Sequence, residues 1–259
     1  SNWTTQDLPH WSLPQPSMAM PCKSHTNKLV NWSRKPRSPL TESGKPHMTL
    51  TSTMATQPNV VLILADDMGL GKTVQTLALL QSEKEKGNAG TSLLIMPTSL
   101  VYNWEMEASR FTPELKILTY TGTQRNKDVS RFAQYDVVLS SYGITRLDIE
   151  LFQNFHFNYI ILDESQAIKN PLAKSAKAAR LLHGNHRIVL TGTPVENHLG
   201  ELWAQFDFLM PGFLGDARSF KRQWRDPIEV NGETLRARLL ADRVRPFILR
   251  RRKAGQGKA

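Results

Sequence analysis

The sequence predicts an α/β fold, a parallel β-sheet flanked by helices, entered through an irregular N-terminal segment. Three observations carry this expectation. From Asn59 onward, apolar runs of strand length alternate with helical stretches, the pattern of repeated βα units. Those apolar runs are continuous, as expected of strands covered on both faces. Residues 1–58 show neither pattern and hold eight of the 15 prolines and 16 Ser/Thr.

The first segment is read as irregular or disordered because its prolines, at 9, 14, 16, 21, 36, 39, 46 and 58, interrupt any helical period. Strands are then predicted at Val60–Ala65, Ser92–Met96, Lys116–Tyr120, Asp136–Ser140, Tyr159–Leu162 and Arg187–Leu190. Helices are predicted between them at Lys72–Lys86, Leu100–Phe111, Gln124–Ala133, Pro171–Leu182 and Gly200–Leu209. In the first helix Val74, Leu77, Ala78 and Leu80 lie close to one face. After Pro211 the periodicity weakens, and short helices at Ala217–Trp224 and Glu233–Arg243 precede a last strand at Phe247–Leu249. The domain reading is therefore an irregular 1–58, a folded 59–253 and a short linker at 254–259.

Composition excludes several classes. One cysteine, Cys22, excludes a disulfide framework and a multi-cysteine zinc site. No run reaches the ~18 apolar residues of a membrane helix, and the N-terminus lacks a secretory pattern, so no membrane partner is expected and a cytosolic or nuclear setting is the simplest. The net charge of +10 is uneven: +4 over residues 1–57, −2 over 58–235 and +8 over 236–259. A basic end attracts phosphate backbones; it is equally a solvated tail.

The sharpest motif is Ala65-Asp66-Asp67-Met68-Gly69-Leu70-Gly71-Lys72-Thr73, which follows an apolar strand and opens a helix. Gly69, Leu70 and Gly71 let backbone N–H groups curl around phosphate oxygens. Lys72 is placed to reach the β- and γ-phosphates and Thr73 to ligate Mg²⁺. Asp66 stands where the first glycine of the usual pattern belongs. The alternative is a plain Gly-rich turn. A nucleotide site also needs an acidic residue ending a neighbouring strand, and Tyr159–Leu162 delivers Asp163 and Glu164. Asp163 is placed to hold Mg²⁺ and Glu164 to orient and deprotonate the attacking water; the alternative is a solvated acidic turn. In a third strand-end motif, Thr191 and Thr193 offer hydroxyls that can bond Gln166 or Glu164 and sense the γ-phosphate, or else form only a Thr-Gly turn.

In order along the chain, D-D-M-G-L-G-K-T, P-T-S-L-V-Y-N-W (97–104), S-S-Y-G (140–143), L-D-E-S-Q-A-I-K-N (162–170) and L-T-G-T-P-V-E-N (190–197) resemble the motifs of superfamily-two helicases. More narrowly, they resemble the Swi/Snf-related ATPases that translocate on double-stranded DNA. The stretches Leu202–Gly212 and Pro246–Arg251 resemble later phrases of that family, and D-E-S-Q is similar to its bacterial members. The resemblance covers about residues 60–253.

It implies a first RecA-like, P-loop lobe that binds ATP and Mg²⁺, with Gln166 beside the nucleotide. It implies that Pro97, Thr98, Ser99, Ser140, Ser141 and Tyr142, with Arg250, Arg251 and Arg252, meet the phosphate backbone of double-stranded DNA. For Ser99 and its neighbours, helix capping is an equal reading. The further partners implied are a second RecA-like lobe carrying arginine fingers, beyond these 259 residues, and a DNA-bound protein as remodelling target. The setting implied is the bacterial cytoplasm, at the nucleoid. The adenine-reading phrase L-R-x-Y-Q of the family is absent from residues 28–59. The classes left in competition are the translocase lobe, a strand-separating helicase lobe and a non-catalytic basic DNA-binding fragment.

Overall fold

The computed structural model describes residues 61–65, 71–88 and 90–250. The segment 1–58, Asp66–Leu70 and the basic end from Arg251 lie outside the described residues.

Seven parallel strands form one sheet in the order β3-β4-β2-β5-β6-β1-β7. They are β1 (Val61–Leu64), β2 (Ser92–Met96), β3 (Ile117–Tyr120), β4 (Val137–Ser141), β5 (His156–Leu162), β6 (His183–Leu190) and β7 (Ile248–Leu249). β1 leads toward α1 (Lys72–Glu85), and β2 leads through a tight turn at Thr98–Leu100 into α2 (Val101–Phe111). β4 runs straight into α3 (Tyr142–Leu147) and α4 (Ile149–Phe152), and β5 into α5 (Gln166–Lys169) and α6 (Lys174–Arg180). After β6 come α7 (Leu199–Leu209), α8 (Ala217–Phe220), α9 (Asp226–Glu229) and α10 (Thr234–Val244). Among the described residues no helix is long and apolar enough to cross a membrane.

The continuous apolar strands are explained by the two layers they serve. Successive residues point to opposite faces. Leu93, Ile95, Val138, Ile160, Leu162 and Val189 pack with Phe152, Phe206 and Phe208 from α4 and α7. Their neighbours Leu94, Met96, Val137, Leu139, Ile161 and Leu190 pack with Leu77 and Leu80 of α1 and Trp104 and Ala108 of α2. Each such side chain, fully buried, contributes about 1.5–3 kcal/mol of transfer free energy, so neither face tolerates a polar register.

Four expectations need correction. First, β6 lies between β1 and β5, so the strand bearing Asp163 is not the neighbour of the strand that leads to Lys72. Second, β5 and β6 begin at His156 and His183, earlier than their apolar runs, because exposed and half-buried residues also enter the ladder. Third, no α-helix spans Gln124–Ala133: only a 3₁₀ turn at Val129–Gln134 forms. Asn126 Oδ1 takes the Asp128 N–H at 2.9 Å, and Asp128 Oδ1 takes the Ser130 N–H at 3.0 Å; such local bonds compete with a helix. Fourth, the helix expected from Pro171 starts at Lys174, and the one expected to end at Trp224 continues through a π-helical turn at Lys221–Arg225 into α9.

Candidate functional site

The site is built on the carboxyl edge of the sheet. Pairing continues one step past the regular strands there: Ala65 N–H bonds Leu249 O at 2.8 Å, Thr191 N–H bonds Leu64 O at 3.0 Å, and Asp163 N–H bonds Ile95 O at 2.8 Å. With the pairings Leu64↔Leu190 and Leu162↔Val189, these bonds bring the last residues of β1, β6 and β5 to within about one residue of the same level.

Gly69 and Leu70 lie outside the described residues. Gly71 is described, and it is the N-cap of α1 at φ 73°, ψ 37°. That left-handed conformation costs an L-residue roughly 1–2 kcal/mol, and a Cβ placed there would meet nothing within 4 Å. The backbone conformation thus favours glycine here. Lys72 and Thr73 open the helix, whose first turn holds no acidic residue. The N-terminal dipole of this 14-residue helix is therefore uncompensated from within.

Asp163 is buried, yet its oxygens are only partly matched. Oδ2 accepts the indole N–H of Trp104 at 2.8 Å, and Oδ1 accepts the Glu164 backbone N–H at 2.9 Å. Both donors are neutral. Burial pushes the Asp163 carboxyl above its ordinary 3.8; the Trp104 and Glu164 hydrogen bonds pull against that shift, the Glu164 charge adds to it, and the Lys72 charge opposes it weakly. Tyr142, buried at the start of α3, donates its hydroxyl to Asp163 O at 2.9 Å. Its phenol is held well above its ordinary 10, by burial first and then by the Asp163 and Glu164 charges, so it remains a donor.

Glu164 has φ 48°, the only positive φ outside glycine among the described residues. Strain of this kind clusters at functional sites and costs about 1–3 kcal/mol. Gln166 is exposed. With its amide turned so that the nitrogen faces Glu164, it donates to Glu164 O at 3.2 Å and Oε2 at 3.0 Å.

Thr191 and Thr193 bond elsewhere than to Gln166 or Glu164. Thr191 Oγ1 donates to Thr193 O at 3.1 Å and accepts the Thr193 N–H at 3.2 Å, while Thr193 Oγ1 donates to Glu196. The Thr-Gly turn is therefore closed on itself. Its tie to the acidic motif runs through Lys169, buried on α5, whose Nζ lies 3.0 Å from Glu196 and 3.5 Å from Glu201. Glu201 also accepts the backbone N–H of Glu196 at 2.8 Å and the amide of Asn197 at 2.7 Å.

The residues expected at a nucleic-acid backbone divide. Pro97 is half-buried and Thr98 and Ser99 are exposed at the turn before α2. That turn has Pro97 as its N-cap, and α2 follows Leu100 with no side-chain cap, so Ser99 does not cap it. Ser141 does cap: its hydroxyl accepts the Ile144 N–H at 3.3 Å. Ser140 has no accessible surface and donates to Tyr120 O at 3.2 Å, and Tyr142 is spent on Asp163. The side chains of Ser140 and Tyr142 thus face the core. Arg250 is half-buried beyond β7; Arg251 and Arg252 lie outside the described residues.

Trp104, Lys169 and Glu201 were not singled out by the sequence. A signal for Trp104 exists in hindsight: a buried helix position accepts any large apolar residue, and tryptophan differs by its N–H.

The donor set suits Mg²⁺ held together with phosphates. Among the described residues no three His, Cys, Asp or Glu converge as a metal cage. Mg²⁺ is commonly held by one or two carboxylates with substrate phosphates and water; Asp163 is a carboxylate of that kind, and Thr73 offers a hydroxyl at the start of α1.

Comparison with known proteins accords with this geometry. The profile of the SNF2-related domain matches residues 25–256. YwqA of Bacillus subtilis, whose name describes an ATP-dependent helicase/translocase, is 44% identical over 194 residues, covering 73% of this chain and 21% of its own. The TATA-binding protein-associated factor MOT1 of Saccharomyces cerevisiae is 39% identical over 216 residues, 74% of this chain and 12% of its own. The Sulfolobus solfataricus SWI2/SNF2 ATPase core in complex with dsDNA superposes with a TM-score of 0.69 at 38% identity, over 76% of this chain and 41% of that one. The chain thus spans about a fifth or less of these two curated relatives.

Proposed function

We propose that this chain, which belongs to the SNF2-related domain family, is the ATP-binding lobe of a DNA-stimulated ATPase that moves along double-stranded DNA and remodels protein–DNA complexes. One observation carries the reading. A left-handed Gly71 opening α1 ahead of Lys72 and Thr73, and a buried Asp163 whose carboxyl is raised by burial, stand at one sheet edge.

In this reading the start of α1 binds the phosphates, Lys72 neutralises their outer oxygens, and Thr73 with Asp163 holds Mg²⁺. Bound Mg²⁺ supplies charge stabilisation to the phosphoryl group in flight. Glu164, held by its own strained backbone and by Gln166, accepts a proton from the attacking water. The Lys169–Glu196–Glu201 cluster links α5 to the turn after β6, so a displacement at Glu164 is transmitted there. A second RecA-like lobe supplies the arginine that completes the site, which implies slow hydrolysis by this lobe alone.

Three facts support duplex DNA as partner: the dsDNA bound to the Sulfolobus relative, the exposed Thr98 and Ser99, and the +8 charge of residues 236–259. The name of MOT1, a TATA-binding protein-associated factor, supports a DNA-bound protein as target; the cytoplasm, at the nucleoid, is the setting we propose.

Calorimetry with Mg·ATP tests the nucleotide site: wild type binds, and Lys72→Ala loses binding while keeping its fold. Equal affinity in the two would remove the phosphate-binding assignment. In a protein carrying both lobes, Glu164→Gln keeps ATP binding and loses about 10²–10⁴-fold in turnover.

A further inference from the structure

Asp163 is fastened to two elements that phosphate binding alone does not require. Trp104 reaches it from α2 and Tyr142 from the start of α3, at 2.8 and 2.9 Å. The two come from opposite faces of the sheet: Trp104 belongs to the apolar layer of α1 and α2, Tyr142 to the layer of α4 and α7. Trp104 is 2% exposed and Tyr142 9%, so neither bond competes with water.

The chemistry of the donors matters more than their number. An indole N–H is neutral and offers one hydrogen bond in one direction. It orients Asp163 Oδ2 without neutralising the carboxylate, which keeps its charge for a cation. A lysine or arginine in that place would orient the group and discharge it together. The Tyr142 bond goes to the backbone oxygen and so fixes the peptide below the carboxylate, at the point where the chain turns into the positive φ of Glu164.

We propose that Trp104 is the positioning residue of the metal-holding carboxylate: its indole N–H selects the Asp163 rotamer that meets Mg²⁺, and Tyr142 pins the backbone beneath it. This rests on the reading of Asp163 as the Mg²⁺ holder. Outer partners of metal ligands typically govern affinity ten- to a hundredfold, and that is the scale expected here.

The test uses the whole chain and a fluorescent ATP analogue, titrated in EDTA and across Mg²⁺ concentrations, with thermal unfolding recorded for each variant. Trp104→Phe keeps a buried ring and removes the donor. It should leave affinity in EDTA unchanged and raise the Mg²⁺ concentration for half-maximal enhancement ten- to a hundredfold. In an Asp163→Asn background the same change should have no further effect on Mg²⁺ dependence. Tyr142→Phe should move Mg²⁺ dependence in the same direction by less, and it carries the test if Trp104→Phe does not fold. A half-maximal Mg²⁺ concentration within twofold of wild type overturns the inference. So does an equal loss of affinity with and without Mg²⁺, which would mark Trp104 as a packing residue only. If wild type itself gains nothing from Mg²⁺, the metal reading of Asp163 fails first and takes this inference with it.

Discussion

Asp148 and Asp163 are almost equally buried, 5% and 7% exposed, and their carboxyls are pushed in opposite directions. Burial disfavours the charge of each. At Asp148 the opposition wins: Arg125 Nε lies at 2.6 Å, the Tyr120 hydroxyl at 2.9 Å and Lys127 Nζ at 3.3 Å, and together they hold the carboxyl below 3.8. At Asp163 the contacts named are two neutral N–H groups, and burial wins. A buried acid already matched by cations is a fastening, here of the loop after β3 to the start of α4. A buried acid bonded by neutral N–H groups, its carboxyl raised by burial, marks a candidate functional site.

The largest effect expected separates the two directly. Asp148→Asn strands the Arg125 guanidinium, whose side chain is 9% exposed, and should cost about 3–5 kcal/mol of stability. Asp163→Asn removes a charge that burial disfavours, and should change stability by less than about 1 kcal/mol while Mg²⁺-dependent ATP binding disappears. Denaturant unfolding of both variants, with nucleotide titration of the second, decides it. Equal destabilisation would erase the distinction.

Acid titration sharpens the comparison by sign. Asp148 has a folded value below 3.8, so the unfolded chain takes up its proton first. Its stabilisation is complete above that ordinary value and is lost as pH falls through the folded one. Asp163 has a folded value above 3.8, so the fold takes up its proton first, and its contribution weakens as pH rises from 3.8 through the raised value. Wild type minus Asp148→Asn, measured in EDTA, should therefore give stability increasing with pH; wild type minus Asp163→Asn should give stability decreasing with pH. Two curves of the same slope would refute the assignment.

The smallest effect concerns the backbone beside Asp163. Glu164→Gly releases the cost of a left-handed L-residue and should gain about 1 kcal/mol, read as a higher denaturant midpoint, while catalysis is lost. A drop in stability would show that the side chain of Glu164, with its bond to Gln166, holds the turn.

Much of this was legible in the chain because the informative residues are sequence neighbours. Gly71-Lys72-Thr73 and Asp163-Glu164 each follow an apolar strand, and the family motifs keep their order. The strands were read from apolar runs, so the polar starts at His156 and His183 were invisible. The helix expected at Gln124–Ala133 gives way to the local bonds of Asn126 and Asp128, and the same stretch sends Arg125 and Lys127 to Asp148, a pairing that no local pattern announces. The bond between Trp104 and Asp163 joins residues 59 apart, and sequence reasoning saw only a tryptophan near the end of a motif. The Thr191 hydroxyl was expected to look across the site, but the nearest partners are two residues on.

The placement of β6 between β1 and β5 has a consequence for how such a site can change. Adjacent strands sit about 4.8 Å apart, so β1, which leads to Lys72, and β5, which leads to Asp163, end about 10 Å from each other. That gap is fixed by the ladder of peptide hydrogen bonds, and side-chain substitution leaves it unaltered. The separation is quantised: widening or narrowing it means gaining or losing a whole strand, a step of about 4.8 Å. The span between the ends of β1 and β5 is thus a property of topology, kept by every sequence that keeps the strand order. Evolution within the fold is left free to tune only the groups at the two ends.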